Sequence, residues 1–222
     1  TGVRYHEVHI YRLLHKWGFK SKVPQKRFVN IASVKDRRKV KKRVKQILSS
    51  LKSGWTVLVQ DESIFVYDYV IRRKKWISKY KRPKITVTGS RKRTIVFGCL
   101  SLDGKQLFRQ YDKFDSKTFV DYLKQVQKRF GKIIIFVDRA TPHCSKITRE
   151  FLDANKGTIR LEYFPVGSPE FDAVEECWRQ GKYHILSTYY STFDFLKDTI
   201  SYYYRTARFN LDIVKYLMRI ID

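Results

Sequence analysis

The sequence predicts an α/β fold built on a mixed sheet, antiparallel in its first half and parallel in its second. Three observations carry this. After Gly54 the helical spacing of apolar residues gives way to a β-branched, aromatic run, WTVLVQDESIFVYDYV. Two more extended runs follow, RTIVFGCLSL and KQLFRQYDKF, joined by the turn pair Asp103-Gly104. From Asp115 onward, helical segments alternate with uninterrupted apolar ones, as parallel strands covered on both faces require. With 43% hydrophobic residues in 222, there is material for one sizeable core and a small appendage.

The elements follow in order. Residues 7–17, EVHIYRLLHKW, place Val8, Tyr11, Leu14 and Trp17 on one helical face before Gly18 stops the helix. Its density of Arg, Lys and His suits a recognition helix, although short helices ending in Gly are common. Residues 20–33, with Pro24, read as a linker. Ser33 is an N-cap with Asp36 in its box, opening a helix with Val40, Val44, Ile47, Leu48 and Leu51 on one face, a basic opposite face and an end at Gly54. Past the three strands come a helix (Phe119, Leu123, Val126, Phe130, then Gly131), the strand KIIIFVD and a helix from Pro142 to Asn155. The strand TIRLEYF and a helix from about Asp172 complete the order. A three-strand meander followed by this alternation is expected of a ribonuclease H-like fold. The aromatic segments STYYSTFDF and SYYYR suit either helical packing or stacking on DNA.

Charge narrows the partner. Forty-seven Lys+Arg against 21 Asp+Glu give +26, concentrated in two blocks: +14 over residues 1–60 and +11 over residues 71–93. A surface charged only for solubility would intersperse the signs, so a polyanion, nucleic acid, is expected. The DNA-binding candidates in the first block are Arg4, His9, Arg12, Lys16, Lys20, Lys22, Lys26 and Arg27; in the second they are Arg72, Arg73, Lys74, Lys75, Arg91, Lys92 and Arg93. A membrane is not expected: no run approaches the roughly 20 apolar residues of a span, and neither basic block makes a convincing amphipathic helix. A soluble, cytoplasmic protein follows from this reading. Cys99, Cys144 and Cys177 lie far apart and suggest neither a disulfide framework nor a zinc knuckle. No Gly-rich phosphate loop is present, so no nucleotide cofactor is expected.

Two carboxylates occupy positions that folding alone disfavours. Asp61 lies inside an apolar strand and Asp138 ends the run KIIIFVD. Taken singly, Asp138 could cap a turn and Asp61 could face solvent. Together they have a geometric reason, because the first strand and the strand after the first core helix are neighbours in the expected sheet. A third acid comes from SPEFDAVEECW, where Glu175 either closes a capping box with Asp172 or points at a metal; Glu176 is its rival, turned about 100° around the helix. Converging carboxylates suit Mg²⁺, which prefers their oxygens and keeps several waters.

These blocks resemble those of DDE transposases of the mariner-like superfamily, specifically its prokaryotic insertion-sequence branch. DESIF at 61–65 resembles the block with the first catalytic Asp, and FVDRATPH at 136–143 the second. SPEFDAVEECW resembles S-P-x-x-N-P-x-E-x-x-W, which aligns Glu175 and not Glu176 with the third metal ligand. YHEVHIYRLLHKWGF resembles the end of the family's helix-turn-helix region. Arg139, Asp172 and Ala173 stand where the family usually has Asn, Asn and Pro.

The resemblance implies catalysis by Asp61, Asp138 and Glu175 with two Mg²⁺ ions, Mn²⁺ substituting, and auxiliary places near the site for His143 and Arg139. It implies cleavage at transposon ends and strand transfer, with terminal inverted repeats and target DNA as partners and a homodimer to synapse two ends. Residues 1–30 would be a partial DNA-binding segment with its linker, and 31–222 the catalytic domain. Two other readings remain at this point: a remnant that binds DNA without cutting it, and another ribonuclease H-like nuclease or resolvase.

Overall fold

Strand β1 (Trp55–Val66) is the axis of the larger part of the chain. The computed structural model describes residues 2, 4–20, 32–68, 84 and 87–218. Two units separate by their contacts, Thr1–Asn30 and Ile31–Asp222.

In the first unit, helix α1 (Glu7–Lys16) is capped by His6, whose Nδ1 accepts the Val8 N–H at 3.3 Å, and Gly18 follows it with φ +80°. Val8, Tyr11, Leu14 and Trp17 are all exposed.

The second unit opens with α2 (Val34–Ser49), N-capped by Ser33. This helix stops well before Gly54. The hydroxyls of Ser49 and Ser50 both donate back to the Gln46 carbonyl, a local alternative to another helical turn. Gly54, at φ +81°, serves the turn into β1 instead. Strands β2 (Arg93–Ser101), β3 (Gln106–Tyr111), β4 (Lys132–Val137) and β5 (Ile159–Tyr163) join β1 in the order β3-β2-β1-β4-β5. The β1–β2 and β2–β3 pairs are antiparallel, whereas β1–β4 and β4–β5 are parallel. The fold is ribonuclease H-like, as the order of elements predicts.

Each sheet face carries its own core. Helix α3 (Ser116–Phe130), whose Asp115 and Thr118 form a reciprocal capping box, packs Phe119, Tyr122, Leu123 and Val126 against Leu58, Phe97, Ile133 and Ile135. On the opposite face, α6 (Val174–Ile185) and α7 (Phe193–Thr206) pack Cys177, Trp178, Leu196, Ile200 and Tyr204 against Val57, Val59 and Phe65. Burying each such large side chain stabilises the fold by roughly 1.5–3 kcal/mol. The aromatic segments therefore serve packing at Tyr190 and Tyr204, which are buried, while Tyr202 stays exposed.

The helix expected over 142–155 is two helices, α4 (Thr141–Cys144) and α5 (Lys146–Ala154). Ser145 breaks it: its backbone is extended and its hydroxyl accepts the Thr148 N–H at 3.2 Å, starting a new helix. The short α8 (Ile213–Leu217) completes the second face.

Candidate active site

Strand alternation sorts the residues of DESIF onto two faces. Asp61 and Ser63 share the α6 face with Val59 and Phe65, while Gln60 and Glu62 share the α3 face with Leu58. Asp61 is in register with Gly98 of β2. Gly98 has no side chain to hold Trp178 off the sheet, and the indole Nε1 donates to Asp61 Oδ2 at 2.8 Å. Burial raises the Asp61 carboxyl to about 7; the charges of Glu62 and Glu175 add to this, and the Trp178 hydrogen bond opposes it.

Asp138 follows the last residue of β4. The parallel register pairs Val59 with Phe136, so two residues further along Asp61 and Asp138 come level on adjacent strands. Asp138 Oδ1 accepts from the Ala140 N–H at 2.9 Å and lies 2.7 Å from His143 Nδ1. The other ring nitrogen of His143 lies 3.0 Å from Glu62 Oε1, which also accepts from Gln60 Nε2 at 2.7 Å. His143 is only 1% exposed. Burial works against its charge, but hydrogen bonds to Asp138 and Glu62 outweigh burial and raise it to about 10. The imidazolium in turn holds Asp138 below the usual carboxylate range, despite partial burial. Glu62 carries no metal-ligand signature in the sequence beyond its place in DESIF, and its part in this bridge becomes visible only in three dimensions.

Asp61, Asp138 and Glu175 border one cavity of about 370 Å³, closed by Arg139, Asp172 and the loop from Phe164 to Pro169. The N-terminal end of α2 and the residue Ala32 before it steady that loop and the turn after it: Arg37 pairs with Glu170 at 3.3 Å, and the Ala32 N–H donates to the Val166 carbonyl. The capping box, one of the two readings of Glu175, does not form. Asp172 Oδ1 accepts the Val174 N–H at 2.8 Å, but helix α6 starts after Ala173, and among the described residues Glu175 accepts no hydrogen bond. Its carboxylate is exposed on the cavity instead. Glu176 is held by Arg179 at 2.6 and 2.7 Å and does not line the cavity.

Two residues that the sequence reading gives no part in the site lie beside it, Asp172 and Lys182. Asp172 is buried, and burial together with the Asp61 charge pushes its carboxyl well above the ordinary range. Lys182 follows Glu175 by seven residues and Trp178 by four, on the same face of α6, its ammonium 5.7 Å from the Phe65 ring centroid. Burial lowers its pKa, and the charges of Glu175 and Asp61 oppose that. Arg139 lies with its guanidinium 5.2 Å from the Tyr163 ring centroid.

The donor set fits a hard divalent cation: every candidate ligand is a carboxylate oxygen, and all three border one cavity. Among the described residues, however, no group of three His, Cys, Asp or Glu side chains is arranged to hold a metal ion.

Of the DNA-binding candidates, Arg4, His9, Arg12, Lys16 and Lys20 are exposed in the first unit, and Arg91, Lys92 and Arg93 are exposed where β2 begins. Lys22, Lys26, Arg27, Arg72, Arg73, Lys74 and Lys75 lie outside the described residues.

A family model described as a DDE superfamily endonuclease matches residues 56–197, a span that holds all three carboxylates. The chain belongs to the DDE endonuclease superfamily. This DDE chain is similar in fold to the Mos1 mariner transposase. It matches the Mos1 paired-end complex with left transposon end at a TM-score of 0.66 and 11% identity, covering 96% of this chain and 65% of that one. It matches the Mos1 paired end complex with Mg at 0.69 and 12% identity, covering 95% and 67%. The Mos1 catalytic domain alone gives 0.53 at 12% identity, covering 89% and 90%. The DDE chain thus spans slightly under two thirds of the first of these proteins. No curated protein matches it in sequence. Among the described residues no helix is long and apolar enough to cross a membrane.

Proposed function

We propose that this chain is the catalytic part of a transposase, of the prokaryotic insertion-sequence branch of the mariner-like superfamily and working in the cytoplasm. It cuts DNA at transposon ends and joins the freed 3′-hydroxyl to target DNA. The observation that carries the reading is the single cavity bordered by Asp61, Asp138 and Glu175 in a DDE endonuclease domain. Similarity in fold to transposase complexes with transposon-end DNA, some with Mg or Mn, supports it.

Asp61, Asp138 and Glu175 would hold two Mg²⁺ ions, with Mn²⁺ as a substitute. When bound, such a pair activates the attacking oxygen and steadies the leaving one in an in-line displacement. The protein's own part is positioning. Trp178 fixes the Asp61 carboxylate through its indole N–H, and His143 fixes that of Asp138 while Glu62 anchors the ring. Glu175, bonded to no described residue, is free to turn toward the cavity. Arg139, braced on Tyr163, offers a guanidinium to a phosphate of the strand being cut. Residues 1–30 bind the terminal repeats, and synapsis of two ends makes the working form a homodimer.

Glu175→Gln and Glu176→Gln test this. With terminal-repeat duplex and Mg²⁺, Glu175→Gln loses strand cleavage while its melting temperature barely moves, and Glu176→Gln cuts like wild type. Normal cleavage by Glu175→Gln removes it from the site. A wild-type chain that binds the duplex but never nicks it is a DNA-binding remnant, and preferential cutting of RNA–DNA hybrid or four-way junctions identifies another nuclease.

A further inference from the structure

A second cavity, of about 510 Å³, lies along the edge strand β3, between the β2–β3 turn and helix α7. Four arginines line it: Arg109, Arg129, Arg205 and Arg208. They come from three separate places in the chain, β3, the end of α3 and the end of α7, so neither basic block of the sequence announces them. All four are exposed, and among the described residues none makes an ion pair. Arg109 donates to Gln125 and to the Phe108 carbonyl, Arg208 donates to the carbonyls of Arg205 and Ala207, and Arg129 and Arg205 lie over the rings of Phe130 and Tyr202. The nearby acid Asp103 is taken by Lys105 at 2.6 Å. Gln110 adds a donor: its carbonyl accepts from Ser201 Oγ at 2.7 Å, but its Nε2 is buried with no partner among the described residues.

Four like charges gathered around an unsatisfied donor repel one another unless an anion joins them. The other large basic cavity differs, since its Arg43 and Arg160 share Glu162 and its Lys156 pairs with Asp153. Register supplies the occupant. Phe108 of β3 pairs with Gly98 of β2, which pairs with Asp61 of β1, and Phe108 packs in the core on Asp61's face. The stretch of β3 that lines the arginine cavity therefore lies about 10 Å from β1 at Asp61, across two strand spacings.

We infer that this arginine cavity grips the phosphodiester backbone of a DNA strand that crosses the carboxylate cavity, an inference that rests on the function proposed above. Guanidinium forks match phosphate oxygens, and backbone contacts carry no sequence preference.

The test is the salt dependence of duplex DNA binding by the full chain in EDTA. The triple variant Arg129→Gln, Arg205→Gln, Arg208→Gln, all exposed positions, should lower the slope of log K against log salt by about 2.7, at about 0.9 per lost phosphate contact. The control triple Lys39→Gln, Lys146→Gln, Lys156→Gln removes equal charge from lysines already paired with acids, and its slope should stay near wild type. A wild-type slope in the arginine variant overturns the inference, as does an equal drop in the control. It is also overturned if inorganic phosphate or a polyglutamate peptide raises the wild-type melting temperature through these arginines while DNA binding is untouched. Absence of Mg²⁺-dependent nicking, with the slope change intact, would instead overturn the catalytic reading and leave the phosphate grip standing.

Discussion

Gly98 and Trp178 meet so closely that a Cβ on the glycine would lie 2.6 Å from indole Cη2. The same indole donates to Asp61, the residue Gly98 faces in register. A backbone position with no side chain therefore sets the orientation of a candidate catalytic carboxylate. Gly98→Ala should overpack this contact at a cost of about 1–3 kcal/mol. In a chain of this size that lowers the melting temperature by roughly 2–4 °C per kcal/mol. Cleavage should fall further than stability does, up to about 100-fold, because the carboxylate is misplaced. Unchanged melting and tryptophan fluorescence would show that the indole does not pack there.

Asp172→Asn should preserve the bond to the Val174 N–H while removing a buried acid. The folded carboxyl is raised above its unfolded value of 3.8, so its ionisation works against folding once the pH exceeds 3.8. The variant should melt with wild type near pH 4 and above it at pH 8, measured without divalent metal, and should keep cleavage. A variant less stable than wild type at pH 8 would mean that ionised Asp172 is favoured in the folded chain.

On the proposed function, divalent metal competes with protons at Asp61. Because burial holds this carboxyl at about 7, Mn²⁺ affinity should weaken about tenfold for each pH unit below that value and level off above it. Titration of the metal at pH 6 and pH 8 measures the effect. A flat profile across this interval would exclude Asp61 as a ligand.

The Glu62–His143–Asp138 bridge makes a different pH signature. His143 is raised from 6.5 to about 10, so its stabilisation is complete below pH 6.5 and is lost as the pH climbs through 10. Removing one partner of such a buried pair costs about 3–5 kcal/mol. His143→Gln should therefore melt well below wild type at pH 6, with the gap closing toward pH 10. A gap that stays constant would assign the loss to packing against Phe119, whose ring centroid lies 4.3 Å away.

Much of this molecule is legible in its sequence because the informative patterns are local. A β-branched, aromatic run marks β1 and an unbroken apolar run marks β4, and carboxylates in such runs stand out because desolvation makes them costly. The cap signal at Ser33 holds for the same reason: its hydroxyl reaches backbone only three residues away. The capping box at Asp172 and Glu175 fails because Asp172 is buried against Asp61 and the helix starts one residue later, a competition no spacing rule contains.

The sequence by itself determined the order of the sheet's elements and the three acids on which the proposed function rests. Tertiary structure alone decided how those acids are held. Glu62 lies 81 residues from the histidine it anchors and Trp178 lies 117 from Asp61, while the arginines of the second cavity gather from the edge strand, the end of α3 and α7. Such contacts arise where strands and helices from distant parts of the chain are packed together to bury apolar surface, and no local pattern records which side chains then come within hydrogen-bonding distance.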